Sequence, residues 1–308
     1  MRWRKHGVAW RPDGTRPWAR SHATCPTPLA RADGSLRLFL QSRDAHNVGH
    51  VGWIDVDPER PTRVLREAAS PVLGPGEPGS FDDNGVFPTC AVPLPDGRVL
   101  LYYVGFELGH HVRYRLLTGL AVSEDGGDTF ARVQATPILE RSPAERLFRC
   151  GPQVIREADG GFRMFYVAGS GWETIDGKAM PVYGLRELRS ADGIVWPATG
   201  RVVMDPDPSQ EHGFGRPWVV RDADGWRMHY SVRRRDPARY RLGLARSLDG
   251  ETWQRHDAGL GLDVSPGEWD GDAIAYGTEV AAGGRTWLFY NGDDFGGTGV
   301  GVAELLEA

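Results

Sequence analysis

Leu101-Tyr102-Tyr103 and Met164-Phe165-Tyr166 are two settings of one phrase, a short apolar run that ends in an aromatic pair. Leu38-Phe39-Leu40, Met228-His229-Tyr230 and Leu288-Phe289-Tyr290 repeat it with variations. From Phe39 to Tyr102, Phe165, His229 and Phe289 the steps are 63, 63, 64 and 60 residues. A repeat of that length is a small sheet that cannot bury both of its faces alone, so successive copies must stack.

Each copy has the same internal order. A strand opens near proline or glycine, as in Pro26-Thr27-Pro28-Leu29, Pro88-Thr89-Cys90, Pro152-Gln153-Val154, Pro217-Trp218-Val219 and Gly277-Thr278-Glu279. A tight turn follows at Asp33-Gly34, Asp96-Gly97, Asp159-Gly160, Asp224-Gly225 and Gly283-Gly284, where positive φ is tolerated. The aromatic strand comes next, then a third strand such as Thr118-Gly119-Leu120 or Leu242-Gly243-Leu244. In the middle copies Ser-x-Asp-Gly turns lead to a short fourth strand carrying Phe130, Trp196 or Trp253. Four strands per copy predict an all-β chain, a single five-bladed β-propeller over residues 1–308 with four-stranded antiparallel blades. The blades fall near residues 10–70, 71–140, 141–205, 206–260 and 261–308. The fifth copy stops after its third strand, while Trp3-Arg4-Lys5-His6 matches Trp253-Gln254-Arg255-His256. The N-terminal strand is therefore expected to complete the last blade and leave no open edge; a frayed terminus is the alternative.

Composition excludes several classes. The net charge of −5 argues against a nucleic-acid binder. No run is apolar enough to span a membrane, and Met1-Arg2-Trp3-Arg4 opens no secretory signal. Three widely spaced cysteines, Cys25, Cys90 and Cys150, fit a reducing, cytoplasmic setting and are expected around the channel. They read either as small buried residues or, for Cys25 with His22, as a nucleophilic pair. No P-loop or dinucleotide fingerprint calls for a cofactor. His22, His111 and His212 lack metal-ligand spacing. Nothing in the composition sets an oligomeric state.

Ser21-His22-Ala23-Thr24-Cys25-Pro26-Thr27-Pro28-Leu29 with Ser42-Arg43-Asp44, the run Phe81-Asp82-Asp83-Asn84-Gly85-Val86-Phe87-Pro88, Gly215-Arg216-Pro217 and Tyr290-Asn291-Gly292 carry a resemblance. Together they resemble a bacterial five-bladed β-propeller family described as glycosyl-hydrolase-like, related to glycoside hydrolase families 32, 43 and 68. The resemblance spans essentially the whole chain and implies a carbohydrate ligand in a central funnel, in a biosynthetic-cluster setting. It also implies three funnel carboxylates, from blades one, two and three. This chain departs from that pattern, with Arg20-Ser21-His22 in blade one and Leu147-Phe148-Arg149-Cys150 in blade three. Only Asp82 and Asp83 stand at a matching place.

Loops before each first strand and after each second strand should surround one mouth of the channel. Asp83 is the leading catalytic candidate, since two adjacent acids repel unless one is paired; an Asx-turn is the alternative for either. Asp44, Glu173 or Asp272 could supply the second carboxyl that glycoside hydrolysis requires. His22 is a candidate proton carrier. Arg43, Asn84, Arg149, Trp172, Arg216, Arg233 and Tyr276 are candidate substrate contacts, offering guanidinium forks, amides and a flat apolar platform. Arg149 and Arg216 precede the first strands of blades three and four at similar offsets, which suggests an anionic ligand or salt bridges across the funnel. Arg233-Arg234-Arg235 reads either as a solvated loop or as an anion clamp. The resulting expectation is a glycosidase-like enzyme acting on a small sugar or glycoside, with an anionic group on that ligand as one option. The alternatives are a non-hydrolytic sugar-binding protein or a different chemistry on the same scaffold.

Overall fold

A computed structural model describes residues 1–222 and 224–307. The chain is 57% strand and 2% helix. No helix among the described residues is long and apolar enough to cross a membrane.

The first strand, β1 (Arg2–Trp10), is followed by β2 (Ser21–Ala30), β3 (Leu36–Arg43), β4 (Gly49–Asp57) and β5 (Arg60–Glu67). Next come β6 (Val86–Pro93), β7 (Val99–Leu108), β8 (Tyr114–Ser123) and β9 (Ala131–Arg132). The third set is β10 (Phe148–Arg156), β11 (Phe162–Ile175), β12 (Lys178–Ser190) and β13 (Arg201–Met204). The fourth is β14 (Glu211–Asp222), β15 (Gly225–Arg234), β16 (Tyr240–Ser247) and β17 (Gln254–Arg255). The chain ends with β18 (Ala275–Ala282), β19 (Arg285–Asn291) and β20 (Val300–Glu307). Within each set, consecutive strands pair antiparallel. The strand β1 pairs antiparallel with β20, Arg4 opposite Glu304 and Lys5 opposite Ala303. The first strands of the sets, β2, β6, β10, β14 and β18, pack in that order, and β18 returns to β2.

The repeated phrase lies on the second strands, where Phe39, Tyr102, Tyr103, Phe165, Tyr166, His229, Tyr230, Phe289 and Tyr290 are all buried. The second ring of four copies is a tyrosine whose hydroxyl needs a partner once desolvated. Tyr103 donates to Asp82 at 3.0 Å, Tyr166 to Glu145 at 2.8 Å, Tyr230 to Asp257 at 2.6 Å and Tyr290 to Asp270 at 3.0 Å. Each carboxylate is also met by a cation: Arg132, Arg149, Arg255 and Lys5 respectively. Lys5 brings β1 into this scheme, its ammonium 2.5 Å from Asp270.

Glycine in the third strands follows from the same rings. A Cβ at Gly119 would stand 2.3 Å from Tyr103, and one at Gly243 would stand 2.6 Å from Tyr230. The aromatic ring crosses the neighbouring backbone where only glycine leaves room.

Candidate functional site

Antiparallel pairing sets the start of each first strand beside the end of each second strand. Ser21 faces Arg43, Val86 faces Gly105, Phe148 faces Gly169, Gly213 faces Arg233 and Ala275 faces Asn291. One end of the strand bundle therefore gathers most of the polar candidates. A bulge interrupts every first strand just beyond this point, at or beside Pro26, Pro88, Pro152, Pro217 and Gly277, which re-aims the side chains.

Aromatic rings line this end in close succession. Phe87 packs on Phe106 at 5.6 Å, Phe106 on Tyr114 at 5.9 Å, Tyr114 on Trp172 at 5.1 Å and Phe148 on Tyr183 at 5.3 Å. Tyr240 packs on Tyr276 and on Phe295, each at 5.6 Å. Trp172 is half-buried among them, and its indole N–H is buried without a partner.

Arg233 sits inside this lining. It belongs to β15 rather than to a solvated loop, and strand alternation turns it inward while Arg234 points out to solvent. The residue is 7% exposed, and its guanidinium donates to the Tyr183 hydroxyl at 2.6 Å and lies over the Tyr240 ring at 5.1 Å. Among the described residues no carboxylate comes within ion-pair distance of it. Burial opposes its charge, but the phenols of Tyr183, Tyr240, Tyr114 and Tyr276 hold its pKa above the ordinary value.

Arg216 lies deeper, on β14, and is 2% exposed. Its Nη2 donates to the Pro26 carbonyl at 2.7 Å and to the Thr278 hydroxyl at 2.9 Å. Nε and Nη1 are buried without partners, as is the amide nitrogen of Asn291. Again no carboxylate among the described residues pairs with it, and burial lowers its pKa. Cys25 adjoins it; burial pushes that thiol up to about 12 against the pull of Arg216, so Cys25 is protonated and no nucleophilic partner for His22. Cys90 and Cys150 are likewise buried and free, with Cys90 raised to about 11 by burial.

Tyr276, at the start of β18, has φ 55° and its hydroxyl lies 3.3 Å from that of Tyr240. Beside it, Arg43 donates to Asn47 at 3.0 Å. Burial lowers the Arg43 pKa, partly offset by Asp294 and Tyr276. His22 has its Nδ1 2.8 Å from the Ser21 hydroxyl and its Nε2 3.8 Å from Asp294.

Other candidates lie elsewhere or are engaged. The Arg149 guanidinium does not join Arg216: it is held by Glu145 at 2.6 Å and by the carbonyls of Glu140 at 2.7 Å and Pro197 at 2.9 Å. Asp82 serves Tyr103 and Arg132. Asp83 accepts the Gly79 N–H at 2.8 Å and an amide N–H of Asn84, both within its own loop. Asp44 closes the 44–48 turn by accepting the N–H groups of His46 and Val48 at 2.8 and 2.9 Å. Burial acts against its charge, but those bonds hold its pKa below the usual value. Glu173 is clamped by Arg235 at 2.7 and 2.9 Å. Asp272 is exposed and contributes only backbone bonds, to Asp293 and Arg241. His212 is tied to the Pro181 carbonyl at 3.0 Å. Among the described residues no group of three His, Cys, Asp or Glu side chains forms a metal-ligand set.

Tyr183, Tyr240, Asp294 and Phe295 were not expected at the site. The two tyrosines lie on third strands credited only with their glycine–leucine repeat. Asp294 and Phe295 sit in the turn after β19, with φ of 50° and 54°, which residue types alone do not reveal.

Comparison with known proteins places the chain. It is 36% identical over 305 residues to the uncharacterized protein Rv1502 of Mycobacterium tuberculosis strain H37Rv, covering 99% of both chains. The chain belongs to the Rv1502 family. The uncharacterized protein MT1551 of strain CDC 1551 matches at the same identity and coverage. No family model matches. Solved structures share the Rv1502-family fold at low identity. A glycosyl hydrolase from Bacteroides ovatus superposes with a TM-score of 0.67 at 15% identity, covering 97% of this chain and 93% of that one. A thermostable family-43 glycoside hydrolase gives 0.69 at 14% identity, covering 95% and 92%. The fold is thus a propeller-like, all-β architecture of the kind found in glycoside hydrolases.

Proposed function

We propose that the chain is a single five-bladed propeller, closed by β1 against β20, whose funnel takes a small sugar or glycoside bearing an anionic group. The reading rests on Arg233, a buried guanidinium with a phenol partner and no carboxylate within ion-pair distance among the described residues. A desolvated cation is costly unless an opposite charge arrives, and a carboxylate or phosphate would complete its fork. Arg43 and Arg216 add positive charge nearby, and the rings of Tyr240, Tyr276 and Trp172 offer the flat surfaces on which sugars stack.

The glycosidase-like scaffold favours chemistry on a glycosidic bond, for which Asp83 is the candidate carboxyl. Hydrolysis requires a second carboxyl close by; Asp44 and Glu173 are both committed to other partners, and the third candidate, Asp272, is exposed to solvent. Their engagement favours a second reading, a sugar-binding protein that does not hydrolyse. Calorimetric titration with uronic acids, sugar phosphates and neutral sugars tests the anion: only charged sugars should bind. Equal affinity for neutral sugars refutes it. Turnover of aryl glycosides that vanishes in Asp83→Ala supports hydrolysis; binding without turnover supports the second reading.

A further inference from the structure

Backbone strain is concentrated at one corner of the mouth. Seven non-glycine residues have positive φ among the described residues, and five of them meet where the first set of strands adjoins the last: His22, Cys25, Tyr276, Asp294 and Phe295. Such conformations cost about 1–3 kcal/mol each and persist only where their surroundings impose them. Here the Thr24 hydroxyl donates to the Phe295 carbonyl at 2.5 Å, Cys25 N–H to Asn291 at 3.0 Å and Tyr276 N–H to Ser231 at 2.8 Å.

The strain has a chemical consequence. Successive strand residues normally point to opposite faces, yet with φ at 62° His22 brings its Nδ1 to 2.8 Å from the Oγ of Ser21. The far edge of the ring faces the solvent-exposed carboxylate of Asp294, with Nε2 3.8 Å from Oδ2, which a turn of that free side chain closes to a hydrogen bond with the neutral ring. Arg43 is the cross-strand partner of Ser21, so its side chain shares a sheet face with the hydroxyl. Nucleophile, base, orienting carboxylate and a cation for developing negative charge therefore lie together.

We infer that Ser21, His22 and Asp294 form an acyl-transfer centre that cleaves O-acyl esters, with Arg43 facing the carbonyl oxygen. Ser21 Oγ attacks the ester carbonyl carbon while its proton passes to His22 Nδ1, and the carbonyl electron pair moves onto oxygen beside Arg43. Collapse of this intermediate breaks the carbon–oxygen bond, and the departing alcohol takes the proton from His22. Water then attacks the acyl-serine, giving its proton to His22. The carboxylic acid leaves and Ser21 regains its proton, so ester and water become alcohol and acid. Burial, with Arg43 adding to it and Asp294 opposing, sets the His22 pKa below the ordinary imidazole value, which keeps the ring free to accept that proton at neutral pH.

This chemistry does not depend on the anionic-sugar reading, although an O-acylated sugar in the funnel would unite the two. p-Nitrophenyl acetate and a fluorophosphonate probe test it without any sugar. The wild-type chain should hydrolyse the ester and carry one probe adduct, mapped by peptide mass spectrometry to Ser21. Ser21→Ala and His22→Gln should each lower the rate by about 10²-fold or more, and Asp294→Asn by less. Ser209→Ala, on an exposed turn, should be unchanged in rate. Near-ultraviolet circular dichroism, sensitive to the packed aromatic rings, shows that each variant is folded. No adduct at Ser21 in the folded wild type, or unaltered hydrolysis in folded Ser21→Ala, overturns the proposal.

Discussion

Arg233 keeps its guanidinium in a nest of phenols from which most water has been removed, and that setting dictates what a substitution should do. Lysine would retain the charge but lose the planar fork and its stacking on Tyr240. Arg233→Lys is expected to weaken binding of an anionic sugar about tenfold or more, on the order of 1.4 kcal/mol. Arg234→Lys, one residue along and exposed, should change affinity less than about twofold. Equal losses in a calorimetric titration would show that the strand's inward face does not define the site. The pair of residues was legible as a basic run, while the inward turn of Arg233 depends on where β15 ends. Arg149 illustrates the converse: like Arg216 it lies within a first strand, rather than before it as the sequence suggested, but Glu145, four residues earlier, takes its charge.

At the scale of the strand, the repeated aromatic phrase, the third-strand glycine and the buried carboxylate form one unit. Gly119 faces Tyr103 across the β7–β8 pair, and a methyl there meets a ring packed on Phe81 and bonded to Asp82. Gly119→Ala should destabilise the fold by about 1–3 kcal/mol, seen as a lower midpoint in urea unfolding with little change in slope. Tyr103→Phe should cost about 1–3 kcal/mol, because Asp82 loses a buried donor while Arg132 remains. An unchanged midpoint in either variant would contradict the packing. Strand order and turns were legible because period-two patterns and Asp-Gly turns are local. Asp82 was singled out as an acid near the channel, but the role of these carboxylates as tyrosine partners was not read, although Asp82, Glu145 and Asp270 precede their tyrosines by 21, 21 and 20 residues. That spacing was a signal; Asp257, which follows Tyr230, breaks it.

Across the whole molecule, buried charges join neighbouring sets of strands. Glu279 on β18 accepts from Arg227 at 2.5 and 3.0 Å and from His229 at 2.7 Å, both on β15. Burial raises its pKa, but the bonds from His229 and Arg227 prevail and hold it at about 2. A folded value below the unfolded one means stability that is present above the unfolded value near 4.5 and lost as pH falls toward 2. The contribution is about 3 kcal/mol. Unfolding free energy should therefore fall steeply between about pH 4.5 and 2, and Glu279→Gln should flatten that segment of the profile. A wild-type profile that is flat there would refute the link. The repeat, its four-strand content and the sheet-forming class are local information, because hydrophobic period, turn residues and copy length are written in adjacent positions. The sequence also set the starts of the first strands beside the ends of the second strands, since antiparallel pairing follows from short turns. Tertiary structure alone decided which charges are satisfied: Glu173 meets Arg235 and Arg149 meets Glu145, while Arg216 and Arg233 are left without carboxylates among the described residues. It alone brought Asp294 to His22 across 272 residues of chain. Those encounters depend on distances between separate strands and on positive-φ backbone, which no local pattern encodes.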